Sequence, residues 1–125
     1  MATHTKLIPI YTSHGDIGGF LLYPYIYNTQ GEWIGWVTAD RNVYSVHGHY
    51  VGKLDQGPRI LRRREAAYDR ERRLPPPEPS PIRPPTRVPL APPLAEVAIN
   101  MIDVLEEAPH LLPPVDFGDL RQDMD

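Results

Sequence analysis

A short phrase of residues occurs three times in the first half of the chain. In each copy, a tyrosine preceded by an aliphatic residue is followed after four residues by a glycine and after four more by a second glycine. Successive copies are 16 and 17 residues apart, which is too short for a helical repeat and fits one β-hairpin per copy. The repeated residues are Tyr11, Gly15 and Gly19, then Tyr27, Gly31 and Gly35, then Tyr44, Gly48 and Gly52. The phrase therefore predicts a mainly β fold, a small barrel-like domain of repeated hairpins.

Each glycine of the phrase has a physical interpretation. The first follows a polar residue, as a tight hairpin turn with a positive φ requires. The second lies in mid-strand, where its recurrence indicates that a neighbouring backbone or aromatic ring needs the space. The first copy has Gly18 where the others have Ile34 and Val51. We expect this hairpin to begin the sheet or to lie at its edge.

Composition limits the classes of function. The net charge of −3 gives no overall basic field for nucleic acid or for an anionic membrane. Cysteine is absent, which excludes disulfides, thiolate zinc sites and thiol nucleophiles. No apolar stretch approaches the roughly 20 residues that cross a bilayer, and the apolar run that begins at Leu7 is too short for a signal peptide. We therefore expect a soluble cytoplasmic protein without membrane contact.

Charge and proline content divide the chain into segments. Residues 1–57 carry a net charge of −1, residues 58–73 of +4 and residues 74–125 of −6, and ten of the twenty residues from 74 to 93 are proline. The predicted segments are a repeated-hairpin domain over 1–61, a basic helical segment over 62–73, an extended proline-rich linker over 74–93, an amphipathic helix over 94–108 and an acidic tail over 109–125. The linker is expected to be largely polyproline II.

Apolar residues recur at helical spacing over residues 94–105. A helix of that length is not stable alone in water, so its apolar stripe must dock on its own β unit, on a sister subunit or on a partner. Together with one aromatic residue of the tail, the predicted interaction residues are Leu94, Val97, Ala98, Met101, Ile102, Leu105 and Phe117. A β unit of about 55 residues buries a marginal core. We expect either oligomerisation or cover by the following segment.

Residues 31–37 and 43–54 carry a resemblance to a known family. They read Gly-Glu-Trp-Ile-Gly-Trp-Val and Val-Tyr-Ser-Val-His-Gly-His-Tyr-Val-Gly-Lys-Leu, and this spacing of glycine and aromatic residues resembles the bacterial 4-fold β-flower family. The resemblance covers residues 7–61 and implies short hairpins around a pseudo-fourfold axis. It implies no established activity, so no catalytic residue carries over. Three copies are clear, and a fourth hairpin would have to come from residues 6–9 together with residues 59–61.

Three histidines lie at or beside the predicted turns. His14, His47 and His49, with Asp16, would offer a metal site if the turns met. His14 and His47 occupy equivalent positions where the second copy has Gln30, which favours a polar turn residue instead. The loop carboxylates show no pattern that pairs two of them for acid–base chemistry. We therefore predict no metal, no cofactor, no catalytic residue and a protein that is not an enzyme.

A basic cluster follows the repeat. Its members are Arg62, Arg63, Arg64, Arg70, Arg72 and Arg73. With Tyr68 between them they are candidates for contact with a nucleic-acid backbone. Acidic residues at helical spacing within the same segment favour a solvated helix, or attraction to the acidic tail. Residues 73–79 also fit the basic-x-x-Pro-x-x-Pro pattern of a ligand for an aromatic groove.

Two functions remain after these exclusions. The favoured one is a non-enzymatic structural or interaction protein, in which the hairpin scaffold holds an extended tail that docks on a partner protein or on a sister subunit. The alternative is a small regulatory or nucleic-acid-associated module that acts through residues 59–73, although nucleic acid is the less expected partner.

Overall fold

The computed structural model describes residues 6–64 and 71–115 of the chain. Within them, eight strands form one antiparallel sheet, in which each strand pairs with the next one along the chain. The strands are β1 (Ile8–Tyr11), β2 (Ile17–Leu22), β3 (Tyr25–Tyr27), β4 (Trp33–Val37), β5 (Asn42–Ser45), β6 (Tyr50–Leu54), β7 (Ile60–Arg63) and β8 (Met101–Asp103). The helix α1 (Val104–Glu107) and a 3₁₀ helix (Pro109–Leu111) follow. The prediction of a mainly β fold with one short helix near the C-terminus is confirmed.

Each copy of the repeated phrase forms one hairpin: β1–β2, β3–β4 and β5–β6. All three hairpins contain a bulge at the same place, just before the tyrosine. In the first, the register shifts between Ile10 and Tyr11 and leaves Gly18 without a partner. Ile34 and Val51 are the unpaired residues of the other two hairpins, and their side chains enter an aliphatic core.

The two glycines of each copy have different backbone environments. Gly31, in the second turn, has a φ of +86°, and Gly15 and Gly48 have nearly the same value, a conformation that residues with a Cβ rarely adopt. A Cβ on Gly35 in mid-strand would lie 2.5 Å from the carbonyl oxygen of Tyr44. Adjacent hairpins therefore approach each other through the backbone at the second glycine, as its recurrence indicated.

The pair β7–β8 completes the arrangement as a fourth copy. Ile60 is fully buried in the place of the aliphatic residue, and the carbonyl of Leu61 faces Gly52 as a tyrosine carbonyl faces the equivalent glycine in the earlier copies. The expectation that residues 6–9 would supply part of a fourth hairpin is wrong, because β1 belongs to the first hairpin. The returning strand of the fourth pair comes instead from residue 101 onward, after a long connection.

The sheet carries a different core on each face. The aliphatic core consists of Ile10, Leu21, Ile26, Ile34, Val37, Val43, Val51, Leu54, Ile60, Val104 and Leu112. The other core is largely aromatic and consists of Phe20, Tyr27, Trp33, Trp36, Tyr44 and Val46. The aliphatic residue and the tyrosine of the phrase thus take opposite faces, which is the alternation of a β-strand.

Residues 71–93, called the proline arm from here on, lie along the aromatic face. Ile82 and Val88 pack against the aromatic core, and the Ile82 N–H donates to the carbonyl of Gly31 at 3.0 Å. The arm covers the third hairpin first, then the second and finally the first, where the Tyr11 hydroxyl donates to the carbonyl of Pro89 at 2.8 Å. The segment predicted as a linker therefore supplies the cover that the small β unit needs.

The residues after β8 close one end of the aliphatic core. Val104 is fully buried and Leu112 nearly so. A methyl group on Gly18 would lie 2.9 Å from Leu105 Cδ1, so Leu105 occupies the space that a bulged side chain fills in the second and third hairpins. This contact explains why the first copy departs from the phrase. The first hairpin begins the sheet, as expected.

Two of the predicted segments need correction. The helix predicted over 94–108 is confined to α1, because residues 101–103 pair with β7 and their backbone hydrogen bonds go to the sheet. The helix predicted over 62–73 does not begin at Arg62, since β7 continues through Arg63. Residues 65–70 and 116–125, which include Arg70 and Phe117, lie outside the described residues.

Burial raises the pKa of Tyr27, and the neighbouring Tyr25 raises it further. The folded protein then holds the phenolic proton more tightly than the unfolded chain, so Tyr27 stabilises the fold below about pH 10 and loses that contribution as the pH rises further. We expect the free energy of unfolding to fall less steeply above about pH 10 in Tyr27→Phe than in the unaltered protein. Urea titrations at neutral and alkaline pH measure this, and Tyr23→Phe is the control, because that side chain is 54% exposed. Equal slopes for Tyr27→Phe and the unaltered protein would contradict the expectation.

Candidate functional site

A groove opens between the first turn and the end of β8. Its volume is about 820 Å³, and it is called the seam groove here. The residues that line it are Ser13, Arg64, Leu94, Ala95, Glu96, Val97, Ala98, Ile99, Met101, Asp103, Glu106 and Glu107. The groove therefore combines a wall of mostly apolar residues with a polar floor.

The floor is built on a buried carboxylate. Asp103 is only 1% exposed, and its Oδ2 accepts hydrogen bonds from both the N–H and the hydroxyl of Ser13, each at 2.7 Å. The other oxygen, Oδ1, accepts from the N–H of Glu106 at 3.4 Å and so caps α1. These bonds link the first turn to the end of β8.

A buried arginine extends this network. Arg59 is 3% exposed and pairs with Asp55 at 3.1 Å, as a buried charge must. Its Nη1 also donates to the Ser13 hydroxyl at 3.1 Å and to the carbonyl of Ala95 at 2.8 Å. The guanidinium thus fixes the apolar wall of the groove against the first turn.

The histidines of the turns lie in different places. His14 Nδ1 lies 2.6 Å from Glu106 Oε1 at the rim of the seam groove, and the contact becomes an ion pair when the imidazole is protonated. His47 and His49 line a separate cavity of about 340 Å³ together with His110. Across residues 6–64 and 71–115, no three histidine or carboxylate side chains are grouped as a metal site.

The predicted interaction residues are divided between the groove and the core. Four of them line the seam groove: Leu94, Val97, Ala98 and Met101. Ile102 pairs in β8, Leu105 packs against the aliphatic core, and Phe117 lies outside the described residues. Ile99, whose side chain is 93% exposed beside the groove, was not predicted, because its position does not belong to the predicted helical stripe.

The members of the basic cluster that the structure describes, all except Arg70, contact groups of their own chain. Arg62, Arg64 and Arg72 each donate to main-chain carbonyls. The Arg73 guanidinium lies over the ring of Tyr44, 5.5 Å from its centroid, and Arg63 also has a partner within the chain. These arginines therefore help to hold the proline arm and the region of β8 in place.

A family model described as "4-fold beta flower protein" matches residues 8–101. The match runs from the first residue of β1 to the first residue of β8, so it includes the proline arm as well as the three hairpins. It is wider than residues 7–61, over which the repeated phrase resembles that family. Neither the curated proteins nor the solved structures include a match. In the part of the chain that the structure describes, helices long and apolar enough to cross a membrane are absent.

Proposed function

The chain belongs to the 4-fold β-flower family, and from that premise we propose that it is a non-enzymatic interaction scaffold. The four strand pairs and the proline arm form a support that holds residues 94–101 in one conformation. A partner protein docks on this segment and inserts a side chain into the seam groove.

The observation that carries the proposal is an apolar side chain held in solvent beside a groove that has one mostly apolar wall. Ile99 is 93% exposed, and the groove next to it is lined by Leu94 and Val97. The backbone here is fixed, because the Met101 N–H donates to the carbonyl of Ala98 at 2.9 Å and the Arg64 N–H donates to the carbonyl of Asn100 at 2.7 Å. A preorganised loop loses little conformational entropy on binding, which favours its use as a docking surface.

Charge at the groove defines the chemistry of the partner. Glu96, Glu106 and Glu107 line the groove, whereas the guanidinium of Arg64 donates to two carbonyls of the groove wall. Acidic residues beside a mostly apolar wall fit a partner that presents an apolar side chain flanked by lysine or arginine. We therefore expect binding that weakens as salt is added.

The floor of the groove supports a structural role for its polar groups. Asp103 accepts bonds from Ser13 and Glu106 through both carboxylate oxygens. The Ser13 hydroxyl lies between that carboxylate and the guanidinium of Arg59, and both groups are also held by main-chain partners. This arrangement favours a scaffold over an enzyme at this site.

The alternative function, a nucleic-acid module acting through residues 59–73, has weaker support. Arg59 is 3% exposed and paired with Asp55, and Arg64 and Arg72 donate to carbonyls of their own chain. Steep salt-dependent binding to nucleic acid would be needed to favour this alternative.

Affinity capture from cells that naturally contain the protein tests the scaffold proposal. We expect one partner to be recovered by the unaltered protein, and its recovery to fall about tenfold or more with Ile99→Asp. Leu74→Asp is the matched control, because Leu74 is also 93% exposed and lies away from the groove. Equal recovery by the unaltered protein and Ile99→Asp, or an equal loss with both variants, would contradict the seam groove as the docking site.

A further inference from the structure

The proline arm contacts the three hairpins at a constant interval. The Arg73 N–H donates to the carbonyl of Gly48 in the third turn, and the Ile82 N–H donates to the carbonyl of Gly31 in the second turn, both at 3.0 Å. The next residue at the same interval, Ala91, faces Gly15 of the first turn. Equivalent turns are therefore met by arm residues nine positions apart.

The tyrosine hydroxyls follow the same interval. Tyr27 donates to the carbonyl of Ser80 at 3.4 Å, and Tyr11 donates to the carbonyl of Pro89 at 2.8 Å. Ser80 and Pro89 are again nine residues apart. Two independent sets of contacts thus share one register, in which each hairpin offers a glycine carbonyl to an arm N–H or a tyrosine hydroxyl to an arm carbonyl.

The interval matches the geometry of an extended proline-rich chain. Polyproline II has three residues per turn and a rise of about 3.1 Å per residue, so nine residues make three turns and advance about 28 Å. The same face of the arm therefore meets each hairpin in succession. The third hairpin adds the ring of Tyr44, over which the Arg73 guanidinium lies, and the aromatic face resembles in chemistry the grooves that bind polyproline ligands.

The contacts that set this register use the backbone of the arm. They require an N–H group at the right interval and carbonyls on the right face, while large arm side chains such as Leu74 and Leu90 are 93% and 94% exposed. A binding surface of this kind selects a ligand by the conformation of its backbone and by the positions of the non-proline residues, which supply the N–H groups. Side chains of Ile82, Val88 and Arg73 add contacts with the aromatic face to this backbone register.

We propose that the outer face of the three hairpins is a binding site for proline-rich peptides in the polyproline II conformation. The ligand is a segment of another protein that has a non-proline residue, with its N–H, at nine-residue intervals. The chain's own arm occupies the site in the closed protein and competes with that ligand. The site differs in surface and in ligand chemistry from the seam groove.

The test uses the full chain with the arm weakened at its two N–H donors. Arg73→Pro combined with Ile82→Pro removes both bonds and keeps a backbone that polyproline II accepts. Arg83→Pro combined with Thr86→Pro adds the same number of prolines at arm residues whose N–H groups make no hydrogen bond within residues 6–64 and 71–115. The probe is a labelled peptide with the sequence of residues 71–93, followed by fluorescence anisotropy. A second peptide carries one inserted glycine after the residue equivalent to Pro77, which shifts the interval from nine to ten residues.

The expected result is a tenfold or larger gain in affinity for the peptide in the donor variant over the proline control, since two hydrogen bonds that hold the competing arm are lost, each worth about fivefold. The shifted peptide should bind about fivefold more weakly than the unshifted one, because it can reach only one donor site. If the double variant does not fold, Ile82→Pro alone gives the same comparison with about half the gain on a logarithmic scale.

Four results would overturn the proposal. Equal affinity for both peptides would show that the register is not read. An arm that stays protected from proteolysis in the donor variant, or one that is released while the peptide fails to bind, would show that these bonds do not define a ligand site. A dimer that forms with rising concentration in place of peptide binding, seen by light scattering, would assign the surface to the arm of a second copy.

Discussion

Asp103→Ala is expected to lower the free energy of unfolding by about 3–5 kcal/mol, because it removes a buried carboxylate and leaves its donors without a partner. The side chain is 1% exposed, and it accepts from the N–H and hydroxyl of Ser13 and from the N–H of Glu106. The guanidinium of Arg59 donates to the same Ser13 hydroxyl. Loss of the carboxylate therefore also weakens the hydrogen-bond network around Arg59. The turn of the first hairpin would no longer be held to the end of β8.

Urea denaturation measures this loss directly. Glu107→Ala is the control, since that carboxylate lies four residues further on and is exposed, and we expect it to change the free energy of unfolding by less than about 0.5 kcal/mol. Asp103→Asn should fall between the two, because the amide keeps one acceptor and turns a donor toward Ser13. A loss below about 1 kcal/mol for Asp103→Ala would mean that the Ser13–Asp103 bonds do not hold the first turn to the end of β8.

Gly31→Ala is expected to destabilise the protein more than Gly15→Ala by about 2 kcal/mol, the typical size of an overpacking effect. Both glycines occupy the same turn position, with φ of +86° and +90°, so both substitutions carry the same backbone strain of about 1–2 kcal/mol. A Cβ on Gly31 would overlap the carbonyl oxygen of Ile82 in the proline arm, whereas a Cβ on Gly15 would meet only the Cβ of Ala91 at 3.8 Å. The difference between the two variants therefore reports the contact with the arm.

The same pair of variants separates two ways in which the protein can respond. If the arm remains bound, the extra loss appears in the free energy of unfolding. If the arm moves away from the second turn, Gly31→Ala should make residues near Ile82 sensitive to protease while Gly15→Ala does not. Equal stability and equal protease sensitivity of the two variants would contradict the placement of the arm over the second hairpin.

The repeated hairpins could be predicted from the sequence because their causes are local. A turn glycine needs its positive φ whatever lies elsewhere, and the aliphatic–tyrosine pair alternates between faces within one strand. One local signal was overlooked. The residue after each tyrosine is Thr12, Asn28 or Ser45, and its side-chain oxygen accepts N–H bonds within the turn.

The pairing of β8 with β7 could not be predicted, because the residues that produce it lie far apart in the chain. β8 pairs with β7 across a connection of 37 residues, numbers 64–100, and the apolar spacing around Met101 suits a helix as well as a strand. The departure at Gly18 was visible, but its reason, the side chain of Leu105, lies 87 positions away. An irregular copy in a repeat is thus a signal that another part of the chain fills the gap.

Part of the candidate site was predicted, although the helix expected over residues 94–108 is confined to α1. Leu94, Val97 and Met101 were selected as one helical stripe, and they share the seam groove because an extended segment and a strand bring them there. Ile99 was missed for the same reason. Asp103 and Arg59 carry no sequence signal of their burial, since Ser13, which connects them, belongs to a different hairpin.

The central claim is that the proline arm is part of the folded β-flower and is held by backbone hydrogen bonds at nine-residue intervals. Amide hydrogen exchange of the full chain tests it most directly. The N–H groups of Arg73 and Ile82, which donate to Gly48 and Gly31, should exchange about 100-fold or more slowly than in an isolated arm peptide. The N–H groups of Arg83 and Thr86 should exchange close to the rate in that peptide. Exchange of Arg73 and Ile82 at the peptide rate would contradict the claim.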